Sequence, residues 1–325
     1  MVTRPRILIS REIEAGALAQ FQAYADIELG EGLSPAEIQA RLPDCDAAVT
    51  MLSDRLDASA FGQLAGSKLK IVANHAVGYE NLDISAAAAA GIVVCNTPDV
   101  LTQATAELAW TLLLALARRL IEGDALVRSG QWTGWAPTQL LGQSVYGRQL
   151  GIIGAGRIGQ AMARMGTGFG ISLVYHSRRP QLDFERTTGA KWLPLDELMA
   201  TSELISMHLP GGTETHHLID ARRLGLVQPG TLLVNTGRGP TLEEAALIEA
   251  LQSGPLAGAA LDVYEFEPAV SQALLSLPNV VLAPHIGSAT VETRRAMALR
   301  CLSNIRALLS GQPAPDALVP PSSGA

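Results

Sequence analysis

Three side chains of different charge follow three successive predicted strands in the second half of the chain. Arg238 comes after the apolar run TLLVN, Glu267 after GAALD and His285 after VVLA. The carboxyl ends of parallel strands meet at one edge of an open α/β sheet, which is where such sheets bind ligands. A guanidinium can bind an anion there, and an imidazole can carry a proton near neutral pH. Each residue alone could be a surface charge or part of a capped loop, so it is the set of three that indicates a site.

A glycine-rich turn earlier in the chain predicts a binding site for a dinucleotide. An apolar run at 150–153 leads into GAGRIG at 154–159, and a helical stretch then leads to a second apolar run at 171–175. This order of strand, turn, helix and strand holds a pyrophosphate at the helix N-terminus. The residues of the turn that we assign to cofactor binding are Gly154, Gly156, Arg157, Ile158 and Gly159.

The end of the second strand of this unit indicates which dinucleotide binds. NAD sites usually carry Asp or Glu there for the ribose 2′-hydroxyl, whereas NADP sites place Arg beside the 2′-phosphate. This chain has Ser177, Arg178 and Arg179, and no carboxylate follows before Asp183. Because two guanidiniums can pair with a phosphate, we predict that NADP(H) is preferred over NAD(H). The alternative is that the arginines lie in a solvated loop and that both cofactors bind.

The pattern of the whole chain predicts two α/β domains. A length of 325 residues is enough for two domains, and strands alternate with helices throughout. Predicted strands lie at 6–9, 47–51, 70–73, 92–95, 204–209, 231–235, 258–262 and 280–283. Predicted helices of the first part lie at 12–24, 35–41, 58–64 and 85–90, the last of them capped by Ser85. We predict two doubly wound parallel-sheet domains with a cleft between them: a Rossmann cofactor domain at 100–286, and a flavodoxin-like substrate domain formed by 1–99 and 287–325.

Two helices, a loop and a tail complete this prediction. Helices are expected at 103–120 and 122–129, and another at 291–309, after which the Pro/Ser/Gly-rich residues beyond Pro313 are expected to be frayed. The loop at 130–147 contains Trp132 and Trp135. These tryptophans could anchor a subunit interface or could fold back onto their own domain, and the loop sequence favours neither.

Composition excludes several classes of protein. A net charge of −7 gives no electrostatic surface for nucleic acid or for an anionic membrane, and the longest apolar stretch, 108–117, is too short to span a bilayer. The first ten residues suggest a strand rather than a signal peptide. Three cysteines, Cys45, Cys95 and Cys301, are odd in number and far apart, which fits buried thiols of a reducing compartment. We therefore predict a soluble cytoplasmic protein with neither nucleic-acid nor membrane partners.

Several motifs resemble one family when they are taken in order. The glycine fingerprint, NTGRG at 235–239, DVYEFEP at 262–268 and APHIGSAT at 283–290 resemble the D-isomer-specific 2-hydroxyacid dehydrogenase family, and the resemblance covers essentially the whole chain. Within that family the chain is most similar to glyoxylate/hydroxypyruvate reductases. The stretches that support this similarity are MLSD at 51–54, AVGY at 76–79, NTPDVLT at 96–102, TAE at 105–107 and WTGW at 132–135.

The resemblance implies a role for each of the three strand-end residues. His285 would be the general acid that protonates the substrate oxygen, and Glu267 would pair with His285 and favour its charged form. Arg238 would bind the substrate carboxylate and polarise the keto group. These roles agree with elementary chemistry, because reduction of a 2-keto acid needs a cation, a proton donor and a hydride source.

The resemblance also implies the remaining parts of the site. The backbone N–H groups of Val77 and Gly78 would hold the other side of the carboxylate, and Leu52 would line the substrate pocket. Trp135 would reach the active site of the partner subunit, which favours a homodimer. The residues that the resemblance adds to the cofactor pocket are Leu209, Pro210, Thr215, Thr236, Gly237, Asp262, which would contact the nicotinamide carboxamide, and Gly287.

The expected substrate is a small 2-keto acid, either glyoxylate or hydroxypyruvate, with a 2-ketogluconate or phenylpyruvate type as the alternative. In a different class, the chain could be a dinucleotide-sensing corepressor, although the presence of all three strand-end residues argues against that. The chemistry requires no metal, and we predict none. The other histidines lack ligand spacing and are expected to be structural: His75, His176, His208, His216 and His217.

Overall fold

A computed structural model describes residues 4–318 of the chain. The described residues up to Leu101 and those from Ser288 onward form a first compact unit, and Thr102–Gly287 form a second. The domain boundaries predicted above lie between 99 and 100 and between 286 and 287. Among the helices within residues 4–318, none combines the length and the apolar composition that a membrane span requires.

The first unit is built on a parallel sheet of five strands in the order β2-β1-β3-β4-β5. The strands are β1 (Arg6–Ile9), β2 (Asp26–Leu29), β3 (Ala47–Thr50), β4 (Ile71–Asn74) and β5 (Val93–Cys95). The helices are α1 (Ala15–Tyr24), α2 (Pro35–Arg41), α3 (Ala58–Leu64), α4 (Ile84–Ala89) and the last helix of the chain, α13 (Val291–Leu309).

Both faces of this sheet are covered, as expected for parallel strands. Successive side chains of β1 point to opposite faces, so that Ile7 packs in one core cluster with Phe21 of α1 and Ile305 of α13. Leu8 packs in the other cluster, with Phe61 of α3. The continuous apolar runs that predicted these strands are therefore the result of burial on both sides.

The second unit contains a parallel sheet of seven strands in the order β12-β11-β10-β9-β6-β7-β8. The strands are β6 (Gln149–Ile153), β7 (Ser172–His176), β8 (Lys191–Trp192), β9 (Leu204–Met207), β10 (Thr231–Asn235), β11 (Leu256–Leu261) and β12 (Val280–Leu282). The helices are α5 (Thr102–Ala117), α6 (Leu120–Arg128), α7 (Arg157–Gly166), α8 (Leu182–Thr188), α9 (Leu195–Thr201), α10 (Ala221–Leu224), α11 (Glu244–Gln252) and α12 (Gln272–Leu275). The strand order reverses beside β6, so ligands are expected at the carboxyl end of β6.

Helix α5 is the centre of the core on one face of the larger sheet. Trp110 stacks on Phe169 with ring centroids 4.9 Å apart, and its indole N–H donates to the carbonyl of Met162 at 2.8 Å. Met162 belongs to α7, so this contact fixes the helix that follows the glycine turn. The two predicted doubly wound parallel-sheet domains are thus confirmed.

Three local predictions need correction. Helix α4 is capped not by Ser85 but by Asp83, whose side chain accepts a hydrogen bond from the Ala86 N–H at 2.9 Å. Strands β2 and β8 were missed because both lie at sheet edges. β2 has no fully buried residue and therefore no apolar run, and β8 has only two residues.

The prediction that the residues beyond Pro313 are frayed is wrong for those that the structure describes. The carboxylate of Asp316 pairs with the guanidinium of Arg300 at 2.6 and 2.7 Å and accepts a hydrogen bond from Asn304 at 2.8 Å. The Leu318 N–H donates to the carbonyl of Val94 at 2.8 Å. A partly buried ion pair and a bond to β5 therefore hold this segment, and residues 319–325 lie outside the described part of the chain.

Candidate active site

The glycine turn between β6 and α7 leaves a helix N-terminus open for an anion. Gly154 has a φ of 95°, in the region that favours glycine. A Cβ on Gly159 would lie 2.3 Å from the carbonyl oxygen of Gly154, so only glycine lets the helix pack on the turn. Gly156 caps α7 without a side-chain hydrogen bond, and the space around it is open. This arrangement fits the pyrophosphate of a dinucleotide.

The loop after β7 presents its arginines to solvent. The Trp192 indole N–H donates to the Ser177 carbonyl at 2.9 Å, and the Ser177 hydroxyl donates to the Arg179 carbonyl at 2.6 Å. The side chain of Arg178 is 94 % exposed, and its closest carboxylate, on Glu214, is 3.9 Å away. A long, exposed ion pair of this kind is weak, so the guanidinium is available to a ligand.

Asn235 at the end of β10 holds the loop that carries Arg238. The Asn235 side chain is buried, accepts a hydrogen bond from the Gly237 N–H at 3.0 Å and donates to the Arg238 carbonyl at 3.3 Å. The Arg238 guanidinium donates to the Gly237 carbonyl at 2.8 Å. Asn235 had no role in the sequence analysis, although it stands in the NTGRG motif that was used there.

Gly239 brings this loop directly against the turn that follows β11. A Cβ on Gly239 would lie 1.8 Å from the carbonyl oxygen of Tyr264 and 2.6 Å from the nitrogen of Glu265. Any side chain here would push the two backbones apart. Glycine is therefore required for Arg238 and Glu267 to share one edge of the sheet.

Glu267 and His285 form a hydrogen-bonded pair at this edge. Nδ1 of His285 lies 2.9 Å from one carboxylate oxygen of Glu267, and the Tyr264 N–H donates to the other at 2.9 Å. Burial raises the pKa of Glu267, but these hydrogen bonds and the positive charges of His285 and Arg238 outweigh it and hold that pKa below its usual range. Glu267 is therefore a carboxylate that can stabilise an imidazolium.

Asp262 fixes the backbone that follows the histidine. Its two carboxylate oxygens accept hydrogen bonds from the N–H groups of Ile286 at 2.7 Å and Gly287 at 2.8 Å. Burial raises the pKa of Asp262 in spite of these bonds. His285 itself has a φ of 55°, an uncommon conformation for a residue with a side chain. Asp262 thus acts as a positioning residue for His285, and its contact with a nicotinamide stays a prediction.

The other residues assigned to the cofactor pocket lie around the ends of β9 and β10. Gly237 faces the backbone of Leu209, where a Cβ would lie 2.9 Å from the carbonyl oxygen. The His208 ring lies 2.7 Å from the Ser206 hydroxyl and 3.4 Å from the Thr236 hydroxyl. Burial lowers the pKa of His208 to about 3, so the ring is neutral, as expected of a structural histidine. Beyond Pro210, the Thr215 hydroxyl donates to the Pro210 carbonyl at 2.8 Å.

In the first unit, two asparagines hold the turn that contains Val77 and Gly78. Asn96 donates to the Val77 carbonyl at 2.7 Å, and Asn74 donates to the Gly78 carbonyl at 2.9 Å. Within residues 4–318, neither N–H group of the turn donates a hydrogen bond, so both can serve a ligand. No role was predicted for these two asparagines, although a polar residue at the end of a buried strand is the signal that marks them.

A third asparagine connects this turn to the loop that contains Leu52. The Asn81 side chain donates to the carbonyls of Met51 at 3.0 Å and Asp54 at 2.8 Å. Leu52 is partly buried between those two residues. The structure thus groups Leu52, Val77 and Gly78 on one side of the first unit.

Trp135 does not fold back onto the second unit. Its side chain is 82 % exposed, and that of Trp132 is 51 % exposed. Helix α6, just before this loop, contains no buried residue. For Trp135, this exposure excludes the alternative that the side chain packs onto its own domain.

Comparison with known proteins gives consistent matches over the chain. The sequence model described as D-isomer specific 2-hydroxyacid dehydrogenase, NAD binding domain, matches residues 110–287. A glyoxylate reductase of Thermococcus onnurineus is 46% identical over 319 residues, covering 96% of this chain and 95% of that protein.

Solved structures show the same similarity. The TT0316 protein of Thermus thermophilus matches with a TM-score of 0.90 and 39% identity, covering 97% of this chain and 100% of that one. An NADPH-dependent glyoxylate/hydroxypyruvate reductase of Sinorhizobium meliloti, solved with NADP and malonate, matches with a TM-score of 0.85 and 38% identity over 98% of this chain and 97% of that one. The chain is therefore an enzyme of the D-isomer-specific 2-hydroxyacid dehydrogenase family, and its second unit is an NAD(P)-binding domain.

Proposed function

We propose that this enzyme uses NADPH to reduce small 2-keto acids, converting glyoxylate to glycolate and hydroxypyruvate to D-glycerate. The observation that carries the proposal is the joint placement of Arg238 and the Glu267–His285 pair at the edge of the sheet that holds the glycine turn. The relatives described above include proteins named glyoxylate reductase, which supports this choice of substrate.

Each group performs a distinct task in this reaction. NADPH, when bound, supplies the hydride. Arg238 binds the substrate carboxylate and polarises the keto oxygen, and His285 donates a proton to that oxygen from Nε2. Glu267 accepts the hydrogen bond from Nδ1 and stabilises the imidazolium before the proton is transferred.

The preference for NADPH rests on the loop after β7. Arg178 and Arg179 are exposed, the Glu214 carboxylate makes only a 3.9 Å contact with Arg178, and along the sequence no carboxylate follows the two arginines before Asp183. Two guanidiniums can bind a 2′-phosphate through charge-assisted hydrogen bonds, whereas a carboxylate at this place would repel it. The reductase of Sinorhizobium meliloti is named NADPH-dependent and was solved with NADP, which supports the same choice.

We assign the N–H groups of Val77 and Gly78 to the substrate carboxylate as well. Their carbonyls are held by Asn96 and Asn74, which fixes the direction of both N–H groups. Leu52 then contributes apolar surface to the pocket. The 74–78 segment contains no arginine or lysine, which favours an unphosphorylated substrate.

Steady-state kinetics test the proposal. We expect NADPH oxidation with glyoxylate and hydroxypyruvate at higher kcat/KM than with pyruvate, 2-ketogluconate or phenylpyruvate. If only 2-ketogluconate or phenylpyruvate were reduced, the enzyme would be assigned to that alternative substrate instead. Turnover of none of the five, together with intact NADPH binding, would favour a dinucleotide-sensing protein instead.

A homodimer is the second part of the proposal. Large apolar side chains of α6 and of the 130–147 loop are more than half exposed, as is typical of surfaces that contact another protein. They are Leu120, Ile121, Val127, Trp132, Trp135, Leu141 and Tyr146. We propose that a second copy of the chain covers this surface and that Trp135 extends towards the active site of the partner subunit.

Sedimentation tests the dimer. We expect the wild-type protein to sediment as a dimer and the double variant Ile121→Glu, Val127→Glu to sediment as a folded monomer. A monomeric wild-type protein would contradict the proposal.

We also propose a cytoplasmic location, because Cys45, Cys95 and Cys301 are buried and free, which suits a reducing compartment.

A further inference from the structure

Two histidines and a glutamate, none of which was assigned to the reaction, meet in the second unit. One ring nitrogen each of His216 and His217 and one carboxylate oxygen of Glu265 all lie within 4.8 Å of one another. Imidazole nitrogens and a carboxylate oxygen are the ligands of many zinc and other transition-metal sites. Both histidines were expected to be structural because their spacing along the chain is not that of metal ligands, and Glu265 is distant from them in the sequence.

Backbone hydrogen bonds fix the two histidines. The His217 N–H donates to the Pro240 carbonyl at 2.8 Å, and the His216 N–H donates to the Gly212 carbonyl at 3.0 Å. The two rings lie with their centroids 4.0 Å apart. His216 is exposed, whereas His217 is partly buried. The hydrogen-bonded turn therefore holds the two histidines so that one ring nitrogen of each lies near the same point at the surface.

Glu265 is oriented by a bond that leaves one oxygen directed at the histidines. One carboxylate oxygen accepts a hydrogen bond from the Glu244 N–H at 2.9 Å. The other lies 2.6 Å from Nε2 of His217. Only 10 % of the Glu265 side chain is exposed, so this orientation is enforced by packing. A carboxylate that is held by a backbone N–H is typical of a positioned metal ligand.

We propose that His216, His217 and Glu265 bind a divalent transition-metal cation, and that Zn²⁺ is the ion that this donor set suits best. Zn–N and Zn–O bonds of about 2.1 Å place the ligand atoms of a tetrahedral site roughly 3.4 Å apart. The 2.6 Å separation between His217 and Glu265 must widen by about 0.8 Å to reach that value, and the exposed ring of His216 can turn towards the ion. Ca²⁺ and Mg²⁺ prefer sites made wholly of oxygen ligands and fit this set poorly.

Binding requires the hydrogen atom between His217 and Glu265 to move. A hydrogen on Nε2 of His217, which faces Glu265 across a 2.6 Å contact, must shift to Nδ1 before Nε2 can coordinate a cation. A water molecule on the exposed side completes four-coordination.

Glu265 lies close to Glu267 in the chain, so a cation bound to Glu265 is expected to affect the proposed active site. Glu265 stands in the turn after β11, two residues before Glu267, and the Tyr264 N–H next to it holds the Glu267 carboxylate. A bound ion would connect the 211–218 segment to this turn. We therefore expect the metal to rigidify the support of Glu267 without contacting the substrate.

Calorimetric titration of the full-length, chelator-treated protein with ZnCl₂ tests the inference, because its readout is independent of enzyme activity. We expect one site per chain with a dissociation constant in the micromolar range. His216→Gln should weaken binding at least tenfold while leaving the melting temperature of the metal-free protein unchanged. Glu214→Gln, which changes an exposed charge in the same turn, is the matched control and should bind Zn²⁺ as the wild type does.

The outcomes separate the proposed site from adventitious binding. Equal affinity of the His216→Gln and Glu214→Gln variants would overturn the proposal, as would the absence of measurable binding to the wild type. A second readout uses CoCl₂, whose visible absorption is intense when the ion is tetrahedral. The wild-type protein should develop these bands and His216→Gln should not, and identical spectra would also contradict the site.

Discussion

Nδ1 of His285 lies 2.9 Å from the carboxylate of Glu267, so this pair fixes which ring nitrogen can face a substrate. With Nδ1 engaged, only Nε2 is left to give up a proton. The same carboxylate is held from the other side by the Tyr264 N–H. The direction of the proposed acid therefore depends on Glu267 and Tyr264.

Replacing Glu267 by Gln should separate orientation from charge. The amide can still accept a hydrogen bond from Nδ1 but no longer stabilises the imidazolium, so reduction should lose activity as the pH rises. We expect kcat/KM to fall roughly tenfold near neutral pH, with a larger loss at alkaline than at acidic pH. The measurement is the pH dependence of kcat/KM for glyoxylate.

His285→Ala is the reference for this experiment, with an expected loss of roughly 10²- to 10⁴-fold at all pH values. An unchanged pH profile in Glu267→Gln would show that the carboxylate serves only to orient the ring.

Cofactor choice should depend on Arg178 and Arg179. Each charge-assisted hydrogen bond to the 2′-phosphate is worth about 1.5–3 kcal/mol, so each Ala variant should lower kcat/KM for NADPH by roughly ten- to a hundredfold. The value for NADH should change little, because NADH lacks that phosphate. Arg186→Ala is the control, since this arginine is exposed in α8 and pairs with Asp183. Equal losses with both cofactors would argue against a 2′-phosphate site.

Gly239 should tolerate no side chain. Gly239→Ala would force the loop of Arg238 away from the backbone of Tyr264, because the added Cβ would lie 1.8 Å from its carbonyl oxygen. A displacement on the order of 1 Å at a reacting group can lower the rate about a hundredfold, and we expect a loss of that size in kcat/KM. Gly168→Ala is the matched control, because nothing lies within 4 Å of its added Cβ. Full activity of Gly239→Ala would contradict the backbone contact.

His75 should make the first unit less stable in acid. Burial lowers its pKa to about 4 from 6.5, and its Nε2 lies 3.3 Å from the Arg294 carbonyl. The unfolded chain therefore binds the proton more readily, so the contribution of His75 to stability is complete above pH 6.5 and decreases as the pH falls towards 4. We expect the wild type to lose about 3 kcal/mol relative to His75→Gln over this range. Urea unfolding followed by fluorescence at several pH values measures the difference, and parallel curves for the two proteins would refute it.

Much of the fold could be predicted because its elements are marked locally. β10 spans 231–235 and α13 spans 291–309, as predicted, since one is a continuous apolar run and the other begins at a Thr290 cap and ends before Gly311. Strand ends could be located for the same reason. The residues that follow them could then be assigned to one edge of the sheet.

The contacts that support the site could not be predicted, because they join segments that are distant along the chain. Nothing in the sequence shows that Gly239 lies against Tyr264, or that Asn96 holds the carbonyl of Val77. The meeting of Glu265 with His217 is of the same kind. Edge strands such as β2 were missed for a different reason, because little apolar burial marks them.

The ion pair between Asp316 and Arg300 and the bond from Leu318 to β5 have a consequence for synthesis of the chain. The first unit needs its last segment, so it cannot be completed on the ribosome until translation has passed through the whole of the second unit. At about 5–20 residues per second, the first five strands wait roughly 10–40 s for α13. The second unit is continuous and can fold during that interval, so we expect the dinucleotide-binding half to be formed before its N-terminal neighbour.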